Sequence, residues 1–67
     1  MDRIHWRWLN ANLQDRTEEE VYKMLAEERA GERRPFILRR LHQRYCVLRA
    51  ARERAEILAE ARQGRAI

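Results

Sequence analysis

Fourteen arginines against a single lysine are the first chemical feature of this chain. Seven of them, Arg33, Arg34, Arg39, Arg40, Arg44, Arg49 and Arg52, fall within residues 33–52, which contain no acid. A guanidinium is a planar fork that matches both phosphate and carboxylate. The segment therefore has two chemical readings. In one, Arg33, Arg34, Arg39, Arg40 and Arg44 form a phosphate-binding surface for DNA or RNA. In the other, the arginines serve the six glutamates of residues 18–32, where Lys23 and Arg29 leave a net charge of −4. On a helical projection the seven do not form one row. Arg40 and Arg44 flank the main apolar stripe on one side, Arg49 and Arg52 flank it on the other, and Arg39 lies apart. A scattered ring is a weaker nucleic-acid footprint than a row, so the carboxylate reading is preferred.

Other chemistry is sparse. His42 and Cys46 stand four apart, a spacing that can supply two zinc ligands. His5 is the only other histidine and there is no second cysteine. A structural zinc site takes four ligands, so no metal is expected. Cys46 reads instead as a small residue at a helix interface. No Ser/His/Asp or Cys/His spacing and no glycine-rich phosphate loop is present. The expected protein is not an enzyme, and it has no cofactor and no small-molecule substrate.

These side chains need elements to hold them, and composition points to helices. Ala, Leu, Glu and Arg dominate, with two Gly and one Pro in 67 residues. Thr17 followed by Glu20 has capping-box spacing, and Glu18, Glu19 and Glu20 suit the positive end of a helix. The pattern predicts a helix over 18–30, with Val21, Leu25 and Glu28 on one face and Met24 beside them. Gly31 is the expected stop, by way of a left-handed C′ conformation. Pro35 suits the first position of a second helix, and nothing breaks the chain again before Gly64. That helix is predicted over 35–62, about 42 Å long.

The short connector predicts an antiparallel hairpin. A helix-turn-helix shares the outline, but this second helix is too long. Its first turns also lack Asn, Ser and Thr.

On the long helix, Leu38, Leu41, Tyr45, Leu48, Arg52, Ala55 and Ala59 follow a coiled-coil seam, with Ile37, Ala51 and Leu58 in the same broad stripe. A weaker stripe holds Cys46, Ala50, Ile57 and Ala61, with Val47 beside it. Two stripes predict two neighbours. Residues 1–16 form an arm or short helix. Trp6, Leu9 and Leu13 have helical spacing, with Asp2 as the candidate cap, whereas Ile4, Trp6 and Trp8 alternate like a strand with no second strand to meet.

The predicted fold is all-α: one small domain, an antiparallel hairpin of a short and a long helix with a tryptophan-containing arm. So short a chain has a thin core, so completion by oligomerisation is expected. Either the arm or a second copy should cover the far half of the long helix. The predicted docking residues are Trp6, Trp8, Ala50, Ile57, Leu58 and Ala61.

The expected function is a non-catalytic regulator or adaptor working through protein–protein contact, with itself as homodimer or higher and with another protein. A basic nucleic-acid-binding regulator is the alternative. Residues 1–13 interleave polar and apolar side chains, so no secretory leader is expected. No apolar run nears the roughly 20 residues of a membrane span, so no membrane partner is expected. A lone cysteine fits a reducing, cytoplasmic setting.

Overall fold

The computed structural model describes residues 4–64 as three α-helices. Helix α1 spans Trp6–Asn12 and runs into a 3₁₀ turn, Leu13–Asp15. Helix α2 spans Glu18–Ala30 and α3 spans Pro35–Gly64. Strands are absent among the described residues.

Helix α2 starts as its sequence dictates. The Thr17 hydroxyl accepts from the Glu20 N–H at 3.1 Å, and the Glu20 carboxylate accepts from the Thr17 N–H at 2.9 Å. Two end donors that α-helix geometry leaves without partners are thereby satisfied. Its far end differs from the expectation. Gly31 adopts φ −106° and ψ −116°, which is not left-handed. The left-handed residue is Arg33, with φ 54°. The reason lies in the turn's hydrogen bonds: the N–H groups of Gly31 and Arg33 both donate to the Glu28 carbonyl, at 3.2 and 2.9 Å. Glycine also suits the close approach there, since a Cβ would stand a tight 3.1 Å from the Glu27 carbonyl oxygen.

Pro35 opens α3, and the Leu38 N–H donates to the Arg34 carbonyl at 2.9 Å. The helix continues to Gly64, two residues past the predicted end. It runs antiparallel to α2: Arg34 meets Glu28, Tyr45 meets Tyr22 with ring centroids 5.5 Å apart, and Arg52 meets Glu18.

The N-terminal segment resolves as a helix. Its cap position is His5, which makes no side-chain cap bond; Asp2, the expected cap, lies outside the described residues. The Asn10 and Asn12 side-chain amides donate back to the Trp6 and Trp8 carbonyls. Such local bonds compete with helix propagation, and the helix is short. Its contacts with α3 keep a constant offset of 30 residues: Ile4 with Arg34, Trp6 with Phe36, Asn10 with Arg40 and Gln14 with Arg44. A constant offset means that α1 runs parallel to α3.

The core is where these three elements meet. Leu9, Leu13, Val21, Leu25, Ile37 and Leu41 are buried, with Ile4, Met24, Leu38, Tyr45 and Leu48 packed around them. Leu9 and Leu13 carry the arm's contribution, whereas Trp6 and Trp8 stay nearly half exposed.

Two expectations about α3 are thereby revised. Both of its neighbours pack on the main stripe, α1 along its Arg40–Arg44 edge and α2 along its Tyr45–Arg52 edge. The second stripe, including Cys46, Val47, Ala50, Ile57 and Ala61, is exposed. The arm does not reach the far half of α3, because it is tied beside residues 34–44. Beyond Glu53 the described side chains of α3 are exposed on every face. The molecule measures 50 × 22 × 19 Å, its long dimension set by this helix.

Candidate interaction surfaces

The arginines of residues 33–52 sort into two groups. Arg34, Arg49 and Arg52 meet carboxylates. The Arg34 fork grips Glu28 through Nε to Oε2 and Nη2 to Oε1, both at 2.8 Å, while Nη1 donates to the Ile4 carbonyl at 2.7 Å. The Arg34 backbone N–H adds a further bond to Glu28 Oε2 at 3.0 Å. Glu28 is 6% exposed and Arg34 15%. A bidentate pair out of solvent is a strong, geometrically specific contact. The Glu28 hydrogen bond, opposed by desolvation, raises the guanidinium pKa above its ordinary value. Arg34 thus pins the connector and the start of α1 to α2. Its guanidinium faces inward, away from any external phosphate.

Arg52 bridges Glu18 and Glu56, and these hydrogen bonds raise its pKa. The same contact lowers the Glu18 carboxyl below its ordinary 4.5. Arg49 pairs with Glu53 at 3.1 Å, and that bond raises its pKa. These pairs are more open, and exposed ion pairs contribute little to stability.

Arg33, Arg39, Arg40 and Arg44 meet no carboxylate among the described residues. Arg33 and Arg39 are exposed. Arg40 Nε donates to Asn10 Oδ1 at 3.2 Å and Arg44 Nη2 to the Gln14 carbonyl at 3.3 Å. Both partners are neutral, so each guanidinium is oriented while its charge stays uncompensated. Arg44 Nε is buried with no hydrogen-bond partner. Arg40 and Arg44, with Gln14 and Gln43, line a shallow open groove of about 510 Å³. Of the five arginines expected to meet nucleic acid, the fold brings Arg40 and Arg44 together and turns Arg34 inward.

The predicted docking residues divide as well. Trp6 packs edge-on against Phe36 at 5.6 Å, beside the start of α3. Ile57, Leu58, Ala50 and Ala61 are exposed on its distal half. From Phe36 to Ile57 is 21 residues, about 32 Å of helix. The tryptophan arm and the distal patch are therefore separate surfaces.

Cys46 Sγ lies 3.5 Å from His42 Nε2, both exposed. No group of three or more His, Cys, Asp or Glu side chains gathers as a metal site among the described residues. No described helix is long and apolar enough to cross a membrane. Phe36 is the residue that sequence reasoning passed over. Its signal was its place one turn before Arg40 on the same edge of the helix.

Comparison of the chain with protein-family models, with characterised proteins and with solved structures finds no match. Its class is that of a small all-α protein with a long projecting helix.

Proposed function

We propose that this protein is a non-catalytic adaptor or regulator that works by helix–helix docking on the distal half of α3, and that its first partner is a second copy of itself. One observation carries this reading. Helix α3 leaves its bundle after Arg52 and presents Ile57 and Leu58, 61% and 49% exposed, on about three turns with no neighbouring element among the described residues. About the last 12 residues of the helix have only propagation from its packed half, and no packed face of their own, to hold them. An apolar partner face would support them.

The side chains suit an antiparallel copy. Ala50 and Ala61 stand on the same stripe as Ile57 and keep that surface low, so a second helix can approach closely. With Ile57 of one copy level with Leu58 of the other, Glu53 and Arg62 are level along the axis. Arg54 is then level with Ala61, Ala55 with Glu60 and Glu56 with Ala59. No like charges share a level. A parallel pair in register would set each charge against itself.

Size-exclusion chromatography with light scattering tests the reading. The expected result is a mass above that of one chain, shifted to monomer by Ile57→Glu. A monomer at all concentrations would remove self-association and leave docking to a different protein as the surviving form.

A further inference from the structure

The seam between α1 and the proximal half of α3 lies at the other end of the molecule from the docking surface and does not depend on it. Along it the chain sets three contacts in order: Trp6 with Phe36, Asn10 with Arg40, Gln14 with Arg44. We propose that this seam is a binding site for a single strand of nucleic acid, with phosphates on Arg40 and Arg44 and a base stacked on the Trp6–Phe36 pair.

Four observations converge on this ligand. First, Arg40 and Arg44 are oriented by neutral acceptors, so neither charge is cancelled, in contrast to Arg34, Arg49 and Arg52. Both Nη groups of Arg40 and the Nη1 group of Arg44 make no hydrogen bond within the described chain and remain as donors. Second, the two arginines share one groove with Gln14, His42, Gln43, Cys46 and Val47, and no acid among the described residues lines it. The nearest acid in sequence, exposed Asp15, is outside the lining. Third, Trp6 and Phe36 hold each other edge-to-face yet remain 46% and 49% exposed. A fixed, open aromatic surface is a stacking platform. Fourth, Phe36, Arg40 and Arg44 recur every four residues, about 6 Å apart along the axis, so platform and cations follow one line. Single strands are bound by this combination of aromatic platforms and cationic grooves, without base-edge readout. The Asn10 amide is occupied within the chain, its Nδ2 donating to the Trp6 carbonyl and its Oδ1 accepting from Arg40, which agrees with a site that does not read sequence. A duplex keeps its bases stacked inside and has no free base for the platform.

The test uses the full chain and a short fluorescein-labelled oligothymidylate, followed by anisotropy and by tryptophan emission across a salt series. Two phosphate contacts on a single strand give a log K against log salt slope of about −1.4. Emission should be quenched on binding. Trp8→Phe should keep the quench and Trp6→Phe should lose it. Arg40→Gln with Arg44→Gln should weaken binding about tenfold and flatten the slope, whereas Arg33→Gln with Arg39→Gln should change it less than twofold. If the Arg40/Arg44 double variant loses its helical circular dichroism, the tryptophan pair decides alone, because it leaves the arginines in place.

Four results would overturn the proposal. They are no binding at low salt; a blunt-ended duplex bound as tightly as the single strand; poly-glutamate competing as well as unlabelled oligothymidylate, which means an acidic-protein surface; and inorganic phosphate competing where chloride of equal ionic strength does not, which means a simple oxyanion site.

Discussion

Glu28 and Arg34 form the contact that closes the fold. They lie six residues apart across a turn, and their fork–fork pair is largely out of solvent. Through Arg34 Nη1 the same pair holds the Ile4 carbonyl, thirty residues away. Hairpin and arm are thus joined at one guanidinium. Removing one member of such a pair leaves the other charged and poorly solvated, which is why single truncations cost more than the pair contributes.

Arg34→Ala should therefore destabilise by about 3 kcal/mol, read as a loss of melting temperature by circular dichroism. Arg39→Ala, at an exposed position near the start of α3, should stay within about 0.5 kcal/mol of the parent. Equal effects for the two would remove the pair from its structural role.

Thr17→Ala should cost about 1 kcal/mol, because the Glu20 N–H loses its acceptor and the box its reciprocal half. Thr17→Ser keeps the hydroxyl and should lie close to the parent in a urea titration.

Leu41→Ala and Leu13→Ala each open a hole where three elements meet, and each should cost about 2–5 kcal/mol. For a chain this small that is a large share of total stability. Leu13 is the more telling of the two. A large loss there shows that the arm is part of the core in solution.

Ile57→Glu and Leu58→Glu alter exposed positions, so the melting temperature of the monomeric chain should change by no more than about 0.5 kcal/mol equivalent. Their effect should appear in light scattering as a shift from oligomer to monomer. Loss of fold in both, with no change of mass in the folded fraction, would place these residues in a core instead.

Acid should weaken the fold through α2. The Arg52 hydrogen bond lowers the Glu18 carboxyl and the Thr17 backbone N–H lowers Glu20, both below the ordinary 4.5. A carboxyl whose folded pKa is lowered contributes stability that is complete above its unfolded value. That contribution is lost as pH falls through the folded one. Melting temperature should therefore be flat above about pH 5.5 and decline below about pH 4.5. Arg52→Gln removes Glu18's main partner and should make the acid decline shallower. An unchanged acid limb in that variant would show that Glu18 does not report on folding.

Much of the hairpin could be read from the chain because its determinants are local. Thr17 and Glu20 are three residues apart, and Pro35 opens a helix by its own ring geometry. The repeat of Val21, Leu25 and Glu28 lies within three turns, and its members are the buried residues of α2. Gly31 was right as a stop but for a different reason: the left-handed step moved to Arg33 once two N–H groups shared the Glu28 carbonyl.

What periodicity left open was settled only by packing. Residues 6–15 were compatible with helix or strand until Leu9 and Leu13 entered the core. The seven arginines were separable only in part as letters: Arg49 and Arg52 stand four residues before Glu53 and Glu56, a spacing for ion pairs on a helix, and both pairs form. The rest of their division into carboxylate partners and uncompensated cations depends on contacts up to 34 residues apart in sequence, such as Arg52 with Glu18. Helix formation, capping and turn geometry act over a few residues, and the amino-acid order by itself determined them. Which of the remaining charges are cancelled, which aromatic stays open and which helix face is left uncovered depend on where three helices meet, and only the tertiary structure decided those.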